Sequence, residues 1–264
     1  MNRCRARTAL AALAAAAVLA ATSAAAGCGA ESSPQTTGSP TGAVTVFAAS
    51  SLTESFTQIG KDFEAANPGT HVTFNFAGSS ALAQQINQGA PADVFASASP
   101  ATMKQVTDAG NGDGDPVTFV RNQLVIAVPK GNPDRVAGLA DLARPGVKVA
   151  LCAEQVPCGA AARKALDAAA VGLTPVTLEQ DVRAALSKVK LGEVDAALVY
   201  RTDVRSAAAD VDGVEFPESA QAINDYPAIV LKEAPNMSAA RAFVAYVLSE
   251  NGRSVLTQAG FQAP

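Results

Sequence analysis

An α/β fold on mainly parallel sheets is predicted by the order of patterns along the chain, in which short β-rich runs alternate with helical periodicity almost from end to end. Two further observations shape that expectation. Several strand-like runs end in small, neutral residues that open directly into a helix. About 220 residues follow an N-terminal low-complexity segment, enough for one large domain or two smaller lobes.

Val44-Thr45-Val46-Phe47 reads as a first strand, after which Leu52, Phe56, Ile59 and Phe63 recur at helical spacing until Asn67-Pro68-Gly69 stops the helix. Val72, Phe74 and Phe76 alternate as a second strand. Leu82 and Ile86 mark a helix after Ser79-Ser80, and Asp93-Val94-Phe95-Ala96 gives a third strand. Pro100 to Ala109 is expected to be helical. Asn111-Gly112-Asp113-Gly114-Asp115-Pro116 is turn chemistry, and it lacks the later bidentate Glu of a calcium loop. Leu124 to Pro129 opens a second region with a short helix near Leu139 to Leu142 and a strand at Val147 to Leu151. Helices are expected after Cys158 and after Asp181, with an apolar strand at Ala196 to Val199 suited to a buried parallel position. Tyr226 to Leu231 reads as a return strand, and Ala240 to Leu256 contains a helix carrying Phe243, Val244, Val247 and Leu248.

The N-terminus has Arg3, Arg5 and Arg7, an Ala/Leu/Val run from Ala9 to Ala21, and a small-residue exit at Ala25-Ala26-Gly27-Cys28. That pattern is a secretory signal over residues 1–27, since a membrane span needs about 20 apolar residues. The exit resembles a bacterial lipobox, in which Cys28 would take lipid, with Ala25 where Leu is usual. Ordinary cleavage after an Ala-x-Ala site is the alternative. Residues 28–42, rich in Gly, Ser, Thr and Pro, suit a flexible tether.

Cys4 leaves with the signal, so Cys152 and Cys158 remain as a pair that an oxidising compartment would join in a disulfide. A redox-active dithiol is the competing reading, and it lacks Cys-x-x-Cys spacing. The formal net charge is -4, and loss of three arginines makes the exported chain more acidic. Binding of nucleic acid or anionic membrane through a basic surface is therefore not expected.

Four helix starts carry small or neutral residues: Ala49-Ser50-Ser51-Leu52, Gly78-Ser79-Ser80-Ala81, Pro157-Cys158-Gly159-Ala160 and Gln180-Asp181-Val182-Arg183. A helix start offers unpaired N–H groups and the positive end of a dipole, so it favours anions. In open α/β sheets such starts lie at the carboxyl ends of strands, where ligands bind.

Phe47-Ala48-Ala49-Ser50-Ser51-Leu52, Phe76-Ala77-Gly78-Ser79-Ser80, Gly89-Ala90-Pro91-Ala92-Asp93-Val94-Phe95, Val156-Pro157-Cys158-Gly159, Asp181-Val182-Arg183 and Leu198-Val199-Tyr200 together resemble, in order, the periplasmic molybdate-binding proteins of ABC importers. The resemblance covers nearly all of residues 43–263. It implies a two-lobed periplasmic binding protein fold of type II, each lobe a mainly parallel sheet flanked by helices, with a ligand cleft between them. Lobe 1 would be residues 43–122 plus 225–264, and lobe 2 residues 123–224.

By that resemblance the ligand is molybdate or tungstate, with no cofactor and no metal bound other than as the oxyanion. It would be held by the hydroxyls and N–H groups of Ser51 and Ser79, by N–H groups near Cys158 and Val182, and by the phenol of Tyr200. All these groups donate, which suits a fully deprotonated oxyanion. Cys158 stands where a small residue such as Ala is usual in the family. The implied partner is a membrane permease, and the implied form is an exported monomer, either a lipoprotein on the outer face of the membrane or a free periplasmic protein.

Each residue also has a plainer reading. Ser51 and Ser79 suit helix caps, Asp181 is a cap candidate, Tyr200 suits half-buried packing, Asp93 suits a loop anchor, and Arg183 suits solvent or an acidic partner. A binder of sulfate or another tetrahedral anion is the nearest alternative function. An exported thiol–disulfide or hydrolytic enzyme is the more distant one, because His71 is the only histidine and no nucleophile elbow, zinc motif or Walker loop occurs.

Overall fold

The computed structural model describes residues 40–264. The expected signal, Cys28 and most of the expected tether lie outside them. The first part of the chain runs β1 (Gly42–Ala49), a 3-10 turn (Ser50–Leu52), α1 (Thr53–Ala66), β2 (Thr70–Ala77), α2 (Ser79–Asn87), β3 (Val94–Ala96), α3 (Pro100–Asp108) and β4 (Gly112–Asn122). It continues through β5 (Leu124–Pro129), a 3-10 turn (Leu139–Ala143), β6 (Val149–Cys152), α4 (Pro157–Ala168), β7 (Thr177–Glu179), α5 (Val182–Lys190), β8 (Ala196–Tyr200), α6 (Arg201–Ser206) and β9 (Val211–Val214). A 3-10 turn (Pro217–Gln221), β10 (Asn224–Leu231), α7 (Met237–Leu248) and α8 (Glu250–Ala259) complete it.

The strands form two five-stranded sheets, ordered β2-β1-β3-β10-β4 and β7-β6-β8-β5-β9. We call the bodies built on them the first and second lobes. The sheets are mixed where mainly parallel ones were expected. β1 pairs in parallel with β2 and β3, and β6 with β7 and β8. β10 and β5 each run antiparallel to both neighbours, because the chain enters or leaves a lobe on those strands.

Asn111 to Pro116 is not a free turn. From Gly112 on it is the start of β4, an edge strand pairing antiparallel with β10 through register shifts. An edge strand tolerates Pro116, whose missing N–H removes no ladder bond that the fold needs. Gly112 packs so closely on Ile229 that an added Cβ would meet its Cδ1 at 2.5 Å. The expected single C-terminal helix is two, divided at Ser249, whose side chain caps α8 by accepting the Gly252 N–H.

Both faces of the first sheet are covered. Phe56, Ile59 and Phe63 of α1 are buried at helical spacing, and Phe56 and Phe63 meet Phe243 of α7 edge to face at 6.0 and 5.4 Å. The opposite face holds a separate cluster in which Leu82, Ile86, Met103 and Val106 cover Phe47, Phe95 and Ile229. Between the lobes, an aromatic row of Phe119, Tyr226 and Tyr200 carries the apolar core across the crossings.

The chain crosses between sheets at Gln123 and again between β9 and β10. These crossings are tied together: Gln123 Nε2 donates to Ser219 Oγ at 2.7 Å, and Gln262 Nε2 donates to Gln123 Oε1 at 3.0 Å. None of the described helices is long and apolar enough to cross a membrane.

Candidate functional site

The helix starts of α2, α4 and α5 and the 3-10 turn before α1 converge on one cavity between the lobes. It is lined by Ser51, Ser79, Cys158, Val182 and Tyr200, with Asp181, Gly78 and Ala98 among the rest of its wall. All five residues expected at the ligand are thus brought to one space. Its volume, counted where the centre of a water-sized sphere can go, is about 10 Å³. That is room for roughly one such sphere, whereas a drug-sized organic ligand needs ~300–1,000 Å³.

Local sequence explains why the helix starts are open to a ligand. α2 follows Gly78 and α4 follows Val156, and neither N-cap residue supplies a side-chain acceptor. Their first N–H groups therefore lack partners from within the helix. Ser79 is not a cap: its Oγ accepts the Ala98 N–H at 3.0 Å from the next strand end. Asp181 does cap α5, with Oδ1 accepting from Arg183 N at 2.8 Å and Ala184 N at 3.0 Å, one residue past Val182. Among the described residues, no Lys or Arg lines the cavity.

Cys152 and Cys158 are joined in a disulfide with Cα atoms 5.7 Å apart. It ties the end of β6 to the first turn of α4. Gly159 completes that junction, because an added Cβ would sit 1.9 Å from the Ala153 carbonyl oxygen. The start of α4 is thus held by a covalent link and by backbone packing.

Tyr200 is 1% exposed, and its hydroxyl is the only buried side-chain oxygen or nitrogen among the described residues without a hydrogen-bond partner. An unpaired buried hydroxyl costs about 1–3 kcal/mol. Burial raises its pKa well above the usual phenol value, with Tyr226 and Asp203 adding to the rise. The group is therefore a neutral donor at the cavity wall.

Sequence reasoning missed the residues behind the wall. Ser51 Oγ lies 2.8 Å from the Tyr226 hydroxyl, and Asn122 Nδ2 reaches Thr202 Oγ1 at 2.8 Å. Asp203, 3% exposed, accepts the Tyr200 N–H at 3.0 Å. Its pKa is raised to about 7, chiefly by burial, against the opposing effects of the Tyr200 N–H and Arg183. Asn122 and Tyr226 lie more than a hundred residues apart, and no local pattern marks either of them. The remaining candidates take structural places: Asp93 accepts from Thr45 N and Asn236 N, and Arg183 pairs with Glu54 across the cleft. His71 lies beside Glu64 on the surface.

The lobes touch around the cavity. Ser80 Oγ donates to the Gln155 carbonyl at 2.7 Å, and a Cβ added at Gly78 would lie 2.3 Å from the Gln180 carbonyl oxygen. This is a closed arrangement, and it depends on a glycine at 78.

Fold and cavity together define a two-lobed α/β binding protein with a small cavity closed between the lobes. Residues 44–262 match the family model described as bacterial extracellular solute-binding protein. The chain belongs to that family. It is 48% identical over 240 residues to the molybdate-binding protein ModA of Mycobacterium tuberculosis, covering 90% of this chain and 92% of that one. Among solved structures it is similar to a substrate-binding domain of a putative molybdenum ABC transporter from Clostridium difficile, with TM-score 0.64, 28% identity, and coverage of 85% and 100%. The periplasmic molybdate-binding protein of Azotobacter vinelandii shares the fold, with TM-score 0.72, 21% identity, and coverage of 84% and 99%.

Proposed function

We propose that this chain is an exported, lipid-anchored monomer that captures molybdate, and tungstate with it, between its lobes and delivers the ion to an ABC permease. It performs no chemistry on its ligand. The observation that carries this reading is the Tyr200 hydroxyl, buried and unpartnered at a cavity whose other walls offer the hydroxyls of Ser51 and Ser79 and the helix starts near Cys158 and Val182. A fully deprotonated tetrahedral oxyanion accepts from every such group and needs nothing to accept from it. Hydroxyls and main-chain dipoles can hold a dianion in a dry site without a cationic side chain.

Closure links capture to delivery. The ligand draws donors of both lobes together, and a permease that prefers the closed form binds the loaded protein. Lipid on Cys28, followed by a flexible tether, would keep the protein near its permease without fixing its orientation.

Thermal unfolding of the purified protein with molybdate, tungstate, sulfate or phosphate tests this. Binding to the folded state alone adds about 4 kcal/mol at a thousand times Kd, a rise of roughly 8–16 °C for a chain of this size. Molybdate and tungstate are expected to give that rise. A rise with sulfate and none with molybdate would overturn the reading.

A further inference from the structure

We propose that Tyr226 and Asn122 lock the Ser51 hydroxyl as a donor toward the ligand, so that the site selects fully deprotonated tetrahedral oxyanions over protonated ones. This rests on the oxyanion reading above and deepens it, by assigning selectivity to two residues outside the cavity wall.

The polarity starts at a main-chain group. The Gln123 N–H, where the chain crosses between sheets, donates to Asn122 Oδ1 at 3.0 Å. A backbone N–H can only donate, so the amide oxygen is held on that side and Nδ2 is turned to the other. There Nδ2 lies 2.8 Å from Thr202 Oγ1 and 3.5 Å from the Tyr226 hydroxyl.

Tyr226 is fully buried, so its proton needs an acceptor. The amide nitrogen of Asn122 cannot accept. The Tyr200 hydroxyl lies near Tyr226 but outside hydrogen-bonding geometry, and at that approach it acts on Tyr226 as a donor, so it does not take the Tyr226 proton. Ser51 Oγ at 2.8 Å is the acceptor in reach. Tyr226 therefore donates to Ser51, and the proton of Ser51 must leave in another direction. Ser51 lines the cavity. Ser79 is locked the same way by a separate route, since its Oγ is occupied by the Ala98 N–H.

Ser51 and Ser79 thus each have one acceptor position filled from behind and a proton left to offer the cavity. A molybdate oxygen accepts from both. Hydrogen phosphate has a proton of its own, and wherever that proton faces Ser51 or Ser79 it meets another donor, leaving one buried bond unmade.

The test measures Kd for molybdate and for inorganic phosphate, which is protonated at pH 7, by calorimetric titration of the purified protein. Tyr226→Phe is expected to weaken molybdate about tenfold and to shrink the ratio of molybdate to phosphate affinity, because Ser51 Oγ becomes free to accept. In a Ser51→Ala background, Tyr226→Phe is expected to have no further effect on molybdate. An unchanged affinity ratio, or additive effects of the two substitutions, overturns the proposal. Asn122→Asp tests the same point with the phenol retained: a carboxylate gives the Tyr226 proton another acceptor, and the ratio should again shrink, an unchanged ratio counting against the lock. A wild-type protein that binds no tetrahedral oxyanion would instead remove the functional reading on which this one stands.

Discussion

The first lobe brings serine hydroxyls to the cavity wall, whereas the second brings mainly apolar residues at two helix starts. Ser51 and Ser79 bring hydroxyls whose orientation comes from neighbours, Tyr226 for one and the Ala98 N–H for the other. The second lobe brings the starts of α4 and α5, each fixed in place. One is held by the Cys152–Cys158 disulfide and the close fit of Gly159, the other by the Asp181 cap. Tyr200 is the exception, a side chain from the second lobe. The lesson is that truncating side chains will expose the first lobe's part and pass over most of the second's. In the second lobe the residues that matter are those that place the backbone.

The sharpest way to break this contrast is to move the backbone of the second lobe. Gly159→Ala puts a methyl 1.9 Å from the Ala153 carbonyl oxygen and 2.7 Å from that of Cys152, both main-chain atoms that cannot swing aside. Denaturant unfolding should show a loss of about 3 kcal/mol, with a lowered Tm. The molybdate-induced rise in Tm should shrink as well, because the start of α4 is displaced. A variant with normal stability and a normal ligand shift would show that this mount is not needed.

Gly78→Ala acts between the lobes. Its methyl would meet the Gln180 carbonyl at 2.3 Å only when the cleft is shut. Overpacking of that kind costs about 1–3 kcal/mol, so affinity should fall by roughly ten- to a hundredfold. Unfolding of the ligand-free protein should change little, since the open form relieves the clash. Equal losses in free stability and in affinity would place Gly78 in the fold instead of the closure.

Tyr200→Phe should separate binding from stability by giving them opposite signs. The hydroxyl is buried without a partner, so its removal should leave the free protein as stable or about 1 kcal/mol more stable. Calorimetry should meanwhile record about a tenfold weaker molybdate complex. A fall in free stability would mean that the hydroxyl has a partner in the unliganded state.

Much of this was legible in the sequence, for physical reasons that also mark where legibility ends. The helix starts at Ser79, Pro157 and Val182 announce themselves through small or capping residues followed by apolar residues at helical spacing, all within a few positions. β4 did not. Its Gly-Asp-Gly-Asp-Pro opening has turn chemistry, and what makes it a strand is β10, more than a hundred residues further on. The same separation hid Tyr226 behind Ser51 and Asn122 behind Tyr226. Residues that touch the cavity through local chain geometry were readable. Those that set the orientation of such groups through long-range contacts were not.

The smallest expected effect on ligand affinity concerns Asp203, which accepts the Tyr200 N–H. Its pKa is raised from 3.8 to about 7, first by burial; Arg183 opposes the rise, while Glu54 and Asp181 add to it. The native state therefore keeps a proton that the unfolded chain has already released between these values. The stabilisation is full below about pH 4 and is lost as pH rises through about 7, with a slope of at most about 1.4 kcal/mol per pH unit. A bound dianion close to Tyr200 raises the pKa of Asp203 further, so binding should take up protons near neutral pH and weaken modestly above it. Asp203→Asn keeps an acceptor for the Tyr200 N–H and removes the titration. Stability and molybdate affinity should then lose this share of their pH dependence between pH 5 and 8. An unchanged dependence in that variant would assign it to another group and leave Asp203 as a structural anchor for Tyr200.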